Sequence, residues 1–472
     1  MRTPKKPAQR PTSGQVRGPV GRSADRPADD EMWPRVVREL ADDLAVDALV
    51  RDRAGKAPLD EVARLQEAGL PALLTPPGPG GRGAGWRTAC GVIREISAAD
   101  GSIGELLAHH CVLAWTTRFL GPAAGPFDLG TRAAEERWLL AGAIEPPGTR
   151  TDATGPAAPN GRSGSSESSG SSTSNRHNRQ NRRSESILPP SGPVVAPSGP
   201  VVATSGPVLT PAGGGAYVLD GRRAFASGVT VADRLVVPAR CTQTGEPLLV
   251  LVDPAHPAVF TEPHAERVGQ RLSGAGTVTF DQVPIAAGDV LGALPQDELA
   301  LAPCPTAPAP IALRLLLVHV ALGIAEGALA EARDVSRATR AASGDDPFLL
   351  LAYGESATAA HAAAAVVDRA TAALEDRLLA GRALDVEDGT DIAVLVAAAE
   401  TVVGRAALDI TTRVLELTDP AAVPGPHGSG PGLDRFWRNA RTLTAPVAPD
   451  HRLRDIGDHY LNGTRAGLTL PV

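Results

Sequence analysis

Between about Glu31 and Leu140, apolar residues recur every three or four positions. They do so through WPRVVRELADDLAVDALVRDRAG, LDEVARLQEAGLPALL and WRTACGVIREISAADGSIGELLAHHCVLAWTTRFLG. That spacing gathers them on one face of a 3.6-residue helix, so the segment is predicted to be a series of amphipathic helices. A turn with Gly78, Gly80 and Gly83 separates the second pattern from the third. It spells GxGxxG, but it carries Pro79 and has no strand before it, so the context of a dinucleotide-binding loop is missing.

The period changes in the middle of the chain. Tyr217 to Phe225 is predicted to be a hairpin, since Asp220-Gly221 supplies the positive φ angles of a two-residue turn. RLVVPAR, PLLVLVD and GTVTFDQVPI follow as short strands punctuated by Gly, Pro and Asp. Three long helical patterns rich in Ala and Leu come next: Ile311 to Ala342, Phe348 to Ala380 and Asp391 to Leu417. Their small side chains favour close packing in a bundle.

These patterns divide the chain into five parts. Residues 1–30 are a disordered tail, basic and rich in Pro and Gly, without the apolar run of a secretory signal. Residues 31–145 form an N-terminal helical domain. Residues 146–210 are a disordered low-complexity insertion that ends in SGPVVAP, SGPVVAT and SGPVLTP. Its Ser, Gly, Asn and Arg side chains cannot bury enough apolar surface to offset the entropy of ordering. Residues 211–300 form a middle β domain, and residues 301–472 form a C-terminal helical bundle with a tail that completes the functional pocket.

Composition narrows the function. With 43% hydrophobic residues in 472, the chain can bury a large core. The net charge of -7 and the lack of a basic face exclude nucleic acid as a partner. Cys90, Cys111, Cys241 and Cys304 lie far apart in sequence, which fits neither a disulfide framework nor a metal site and points to reduced thiols in a cytoplasm. The most apolar stretch, Ile311 to Ala332, is interrupted by Arg314, His319, Glu326 and Glu331, as expected of a buried helix and not of a membrane span.

Candidate chemistry concentrates between Leu433 and Thr464. Trp437, Arg438, Asn439 and Arg441 place a flat ring beside two guanidinium forks and an amide, groups suited to a planar cofactor that bears phosphate.

Several stretches in order resemble the acyl-CoA dehydrogenase superfamily. They are LTPPGPGGRGAGW, DGSIGELLAHH, GGGAYVLDGRRAFASGVTVADRLVV, SGAGTVTFDQVPI and WRNART with the later IGDHYLNGT. The last of these is similar to the flavin-dependent monooxygenase branch, the dibenzothiophene monooxygenase and sulfur-acquisition group. The resemblance implies an N-terminal α-helical domain, a small middle β domain and a C-terminal four-helix-type bundle that assembles as a homotetramer.

The resemblance also implies site residues. Phe225, Ala226, Ser227 and Gly228 match the strand end that borders the flavin, and Trp437, Arg438, Asn439 and Arg441 would serve the cofactor. His110 matches the branch's active-site His. The cofactor is flavin, with FMN as reduced co-substrate and FAD as the alternative. The implied partners are a separate NAD(P)H:flavin reductase and a small hydrophobic substrate.

Two chemistries on this fold need different side chains. A thioester dehydrogenase requires a carboxylate base in a dry pocket. The loop Leu417 to Leu433 offers only Asp419, and Leu313 precedes Arg314 where the second family position for that base falls. Oxygenation by reduced flavin needs a water-excluding pocket with hydrogen-bond donors and no strong base. The second His of the monooxygenase branch is replaced by Pro446, with His451 and His459 downstream as stand-ins. The leading expectation is therefore a reduced-flavin monooxygenase. The alternatives are an FAD-dependent acyl-CoA dehydrogenase with a relocated base, Glu355 or Asp419, and a catalytically silent member that binds no flavin.

Overall fold

The computed structural model describes residues 27–78, 80–121, 128–145, 206–294, 308–339, 346–379, 386–418, 432–446 and 449–463. Most of the expected tail, the bulk of the insertion, Pro79, Asp419 and Cys304 lie outside the described residues.

The N-terminal part comprises α1 (Pro27–Val46), α2 (Ala48–Ala54), α3 (Leu59–Glu67), α4 (Trp86–Ala99), α5 (Gly101–Ala114), α6 (Thr116–Leu120) and α7 (Leu129–Glu135). Helix α4 is amphipathic and buries Trp86, Ile93 and Ile96, whereas α5 is buried nearly all round. A sheet follows with β1 (Leu140–Gly142), β2 (Val208–Gly213), β3 (Ala216–Phe225) and β4 (Arg234–Cys241). It continues with β5 (Pro247–Val252), β6 (Val259–Pro263), β7 (Gly276–Ile285) and β8 (Val290–Ala293). Strand order is β6-β7-β3-β2-β4-β5-β8, with β1 parallel to β4.

Two local expectations are corrected. Asp220-Gly221 does not turn the chain, because β3 runs through it as a single strand with a register shift against β7 between Leu219 and Gly221. Gly221 has φ +121 and serves a bulge, and Asp220 accepts the Gln282 N–H at 2.9 Å there. The hairpin turn is Gly213-Gly214-Gly215, all with positive φ, between β2 and β3. Consequently Val208 to Pro211, the end of the last repeat copy, enter the sheet as part of β2.

The three long patterns form α8 (Pro308–Thr339), α9 (Pro347–Leu379) and α10 (Val386–Leu417), followed by α11 (Asp434–Thr444) and α12 (Pro449–Asn462). Helix α8 is long and apolar enough to cross a bilayer, but 72% of its most apolar window is buried. It packs on α4, α5 and α10 and is the central core helix. A Cβ at Gly323 or Gly327 would lie 2.3 Å or 2.0 Å from the carbonyls of Arg94 or Ala98, so α4 and α8 meet backbone to backbone.

Candidate active site

Helix α5 begins where Asp100 caps it, accepting the N–H of Ser102 at 3.0 Å and of Ile103 at 3.4 Å. Burial pushes the Asp100 carboxyl up in pKa, and Arg51, donating at 3.1 Å, opposes that shift. Ser102, Glu105 and His109 follow at steps of three and four, so they share one stripe of the helix. Ser102 Oγ and Glu105 Oε2 are buried without a hydrogen-bond partner. Burial pushes the Glu105 carboxyl up to about 7 against the opposing charge of Arg267. Burial and the same Arg267 push His109 down to about 4, so both groups are neutral just below neutral pH.

The loop between β6 and β7 supplies a second wall. Gln270 sits there at φ +52, fully buried, with neither Nε2 nor Oε1 partnered. Its backbone N–H donates to Asn439 Oδ1 of α11 at 2.7 Å. Arg267 donates to the Ala226 carbonyl at 3.0 Å, tying this loop to the end of β3. On the opposite side a Cβ at Gly101 would lie 2.6 Å from Ile324 of α8 and 3.4 Å from Asn439 Nδ2.

Helices α5, α8 and α11 and the Gln270 loop therefore converge on unpaired polar atoms. Each such buried atom costs about 1–3 kcal/mol unless something meets it. A hydroxyl, a protonated carboxyl and an amide offer the donors and acceptors that the polar edge of a flavin ring requires, so the residues present fit that group.

Along the same seam lies a cleft of about 380 Å³ between α8, α10 and the end of α11. It includes Leu317 and Ala321, less than two turns before Ile324 on α8, and Leu443, one turn after Asn439 on α11. Glu400 forms its polar floor, accepting from Arg314 at 2.7 and 2.5 Å and pairing with Arg452 at 3.1 Å.

The expected site residues divide. Asn439 lies in the convergence. Arg438 does not reach into it, being held by Asp52 at 2.5 Å and Asp434 at 3.0 Å, where it ties α11 to α2. Trp437 is half-buried on the same turn, and Arg441 is exposed at the rim of the cleft. Ser227 Oγ and the Gly228 N–H both donate to the Ser273 carbonyl, at 3.1 and 2.7 Å. Phe225 belongs to the core of the sheet. The segment Phe225, Ala226, Ser227 and Gly228 thus braces the Gln270 loop.

His110 requires a correction. Its Nε2 donates to the Pro71 carbonyl at 2.7 Å, and its Nδ1 accepts the Leu140 N–H at 2.9 Å. With both nitrogens bound to backbone and burial pushing its pKa down to about 4, the ring is a neutral brace between α5 and β1. Pro446 lines the cleft, and neither proposed stand-in replaces the missing His: His451 is exposed and His459 lies 3.7 Å from Asp391. Glu355 is exposed on α9, where a carboxylate cannot serve a dry pocket. Sequence reasoning passed over Ser102, Glu105, His109, Arg267 and Gln270. The three- and four-residue steps from Ser102 to His109 in an otherwise apolar helix were the available signal.

Two family models match the chain: the acyl-CoA dehydrogenase N-terminal domain over residues 27–139 and its C-terminal domain over residues 315–448. Dibenzothiophene monooxygenase of Rhodococcus erythropolis is 30% identical over 455 residues, covering 93% of this chain and 95% of that protein. The chain belongs to the acyl-CoA dehydrogenase superfamily, in its dibenzothiophene monooxygenase branch. A "Probable FMNH2-dependent monooxygenase" of Pseudomonas putida is 27% identical, with 91% of this chain and 95% of that protein covered. TdsC of Paenibacillus sp. A11-2, crystallised with FMN and indole, superposes with a TM-score of 0.71 at 25% identity, covering 92% of this chain and 98% of that one. As in the superfamily at large, helices flank a middle sheet, and in this member Ser102 and Glu105 of α5 and Gln270 of the β6–β7 loop carry buried polar atoms without a partner.

Proposed function

We propose that this chain is a reduced-flavin monooxygenase that receives reduced FMN from a separate NAD(P)H:flavin reductase and adds one oxygen atom to a small apolar substrate. The observation that carries this reading is the set of buried, unpartnered Ser102, Glu105 and Gln270 side chains on α5 and on the loop whose Gln270 N–H Asn439 holds. Similarity over nearly the whole chain to FMN-dependent oxygenases supports it.

Reduced flavin, when bound, supplies the electrons that activate dioxygen. The chain's own residues do the rest. Gln270 and Asn439 would hydrogen-bond the polar edge of the flavin, and Glu105 holds a proton on a buried stripe of α5. The cleft, walled by Leu317, Val318, Ala321 and Leu443, would take the substrate.

A thioester dehydrogenase is disfavoured because Leu313 holds one family position for the base and the alternative Glu355 faces solvent. Glu105, protonated up to about pH 7, suits a proton donor better than a base. We assign the protein to the cytoplasm, in keeping with the free thiols of Cys90, Cys111 and Cys241. We also assign it a homotetrameric assembly, which sizing chromatography tests.

The deciding experiment is anaerobic titration with photoreduced FMN followed by rapid mixing with oxygen. One flavin bound per chain, and an absorbance transient distinct from reduced and oxidised flavin, are expected. Bleaching of bound FAD by an acyl-CoA thioester would establish the dehydrogenase instead, and absence of any flavin binding would establish a silent member.

A further inference from the structure

We infer that the substrate carries an anionic head on an apolar body, with the head gripped by Arg405 and Arg441 at the rim of the bundle cleft. This deepens the monooxygenase reading and rests on it for the word substrate.

The charge of the cleft is one-sided. Arg314, Arg405 and Arg441 line it, with Arg452 beside Glu400, which is the one carboxylate among the described lining residues. Glu400 is fully used by Arg314 and Arg452, and the remaining carboxylate acting on Arg452 is Asp455. Burial and the charge of Arg314 lower the pKa of Arg452, and Glu400 and Asp455 oppose that shift. Arg405 and Arg441 stand exposed at the rim, and neither has an ion pair among the described residues. Guanidinium forks of this kind take carboxylate, sulfonate or phosphate groups in pairs of hydrogen bonds.

Orientation follows from the walls. Leu317, Ala321 and Leu443 give the cleft an apolar wall beneath its rim. An occupant anchored at Arg405 and Arg441 therefore lays its apolar body along these walls. Gly404, mid-way along α10, leaves room for this body: a Cβ there meets only Thr444 Cγ2, at 3.5 Å. Glycine inside a helix is unfavourable, and its open side faces the cleft.

The test is calorimetric titration of the full chain, with and without FMN, using naphthalene-1-sulfonate and its neutral analogue naphthalene-1-methanol. The sulfonate is expected to bind once per chain, about tenfold or more tighter than the neutral probe, and more weakly as salt rises. Arg405→Gln with Arg441→Gln should weaken it about tenfold while leaving the thermal midpoint unchanged, since both residues are exposed. Gly404→Leu, which fills the cleft without altering charge, should abolish binding.

Equal affinity for both probes, indifference to these variants, or competition by FMN would overturn the inference. If the sulfonate binds as expected but reduced FMN and oxygen give no oxygenated product, the monooxygenase reading fails and the anion site stands. If neutral thioethers are oxygenated while the sulfonate does not bind, the reverse holds.

Discussion

Asn439 Oδ1 accepts the backbone N–H of Gln270 at 2.7 Å, joining α11 to the sheet across 169 residues of sequence. Through this one backbone bond the helix that carries WRNART fixes the loop, while the buried side-chain amide of Gln270 has no partner. Asn439→Ala should leave the Gln270 N–H unpaired in the interior and cost about 1–3 kcal/mol. Asn439→Asp keeps the acceptor and should cost less. Denaturant unfolding measures the first effect, and FMN fluorescence titration should show weaker binding in the alanine variant at temperatures where it is still folded.

His110→Ala should act on stability and not on chemistry. It would orphan the Pro71 carbonyl and the Leu140 N–H together, at about 2–4 kcal/mol. Turnover per folded molecule should stay within a few-fold of wild type. A turnover loss of several hundredfold with unchanged stability would restore His110 as a catalytic group.

Glu105 sets a pH dependence of definite sign. Its carboxyl rises from an ordinary 4.5 to about 7 in the fold, so the folded state holds a proton that the unfolded state releases between those values. Stability from this group is therefore present at low pH and lost as pH rises from about 4.5 to about 7, by up to about 3 kcal/mol. Glu105→Gln should remove that loss, so the variant gains on wild type progressively across the window. His109, His110 and His319, pushed down to about 4, 4 and 3, act oppositely and lower stability as pH falls below 6.5. The comparison must therefore be of variant against wild type at each pH.

Glu400→Gln should leave Arg314 and Arg452 facing each other in the interior. Removing the shared carboxylate of such a buried cluster costs about 3–5 kcal/mol. Arg452→Met should cost less, because Arg314 keeps its paired bonds to Glu400. Chemical denaturation of both variants distinguishes the two, and equal losses would mean that Arg452 is the partner that matters.

The sequence by itself determined the helical and extended regions, because burying one face of a segment demands a repeat of 3.6 or 2 residues that local spacing records. It also determined the family, since WRNART and DGSIGELLAHH are contiguous wording. Positive-φ glycines were legible as such, but Gly221 and Gly213 to Gly215 carry the same local signal, and only strand pairing made one a bulge and the others a turn. His109 and His110 are neighbours about 100° apart on a helix. Which of them is held by backbone was decided when Pro71 and Leu140 closed on His110. Gln270 and Asn439 meet only after the loop and α11 pack against α5. A pocket of unpaired atoms is a property of that packing, because a polar side chain becomes an unmet donor or acceptor only when distant segments exclude the water around it.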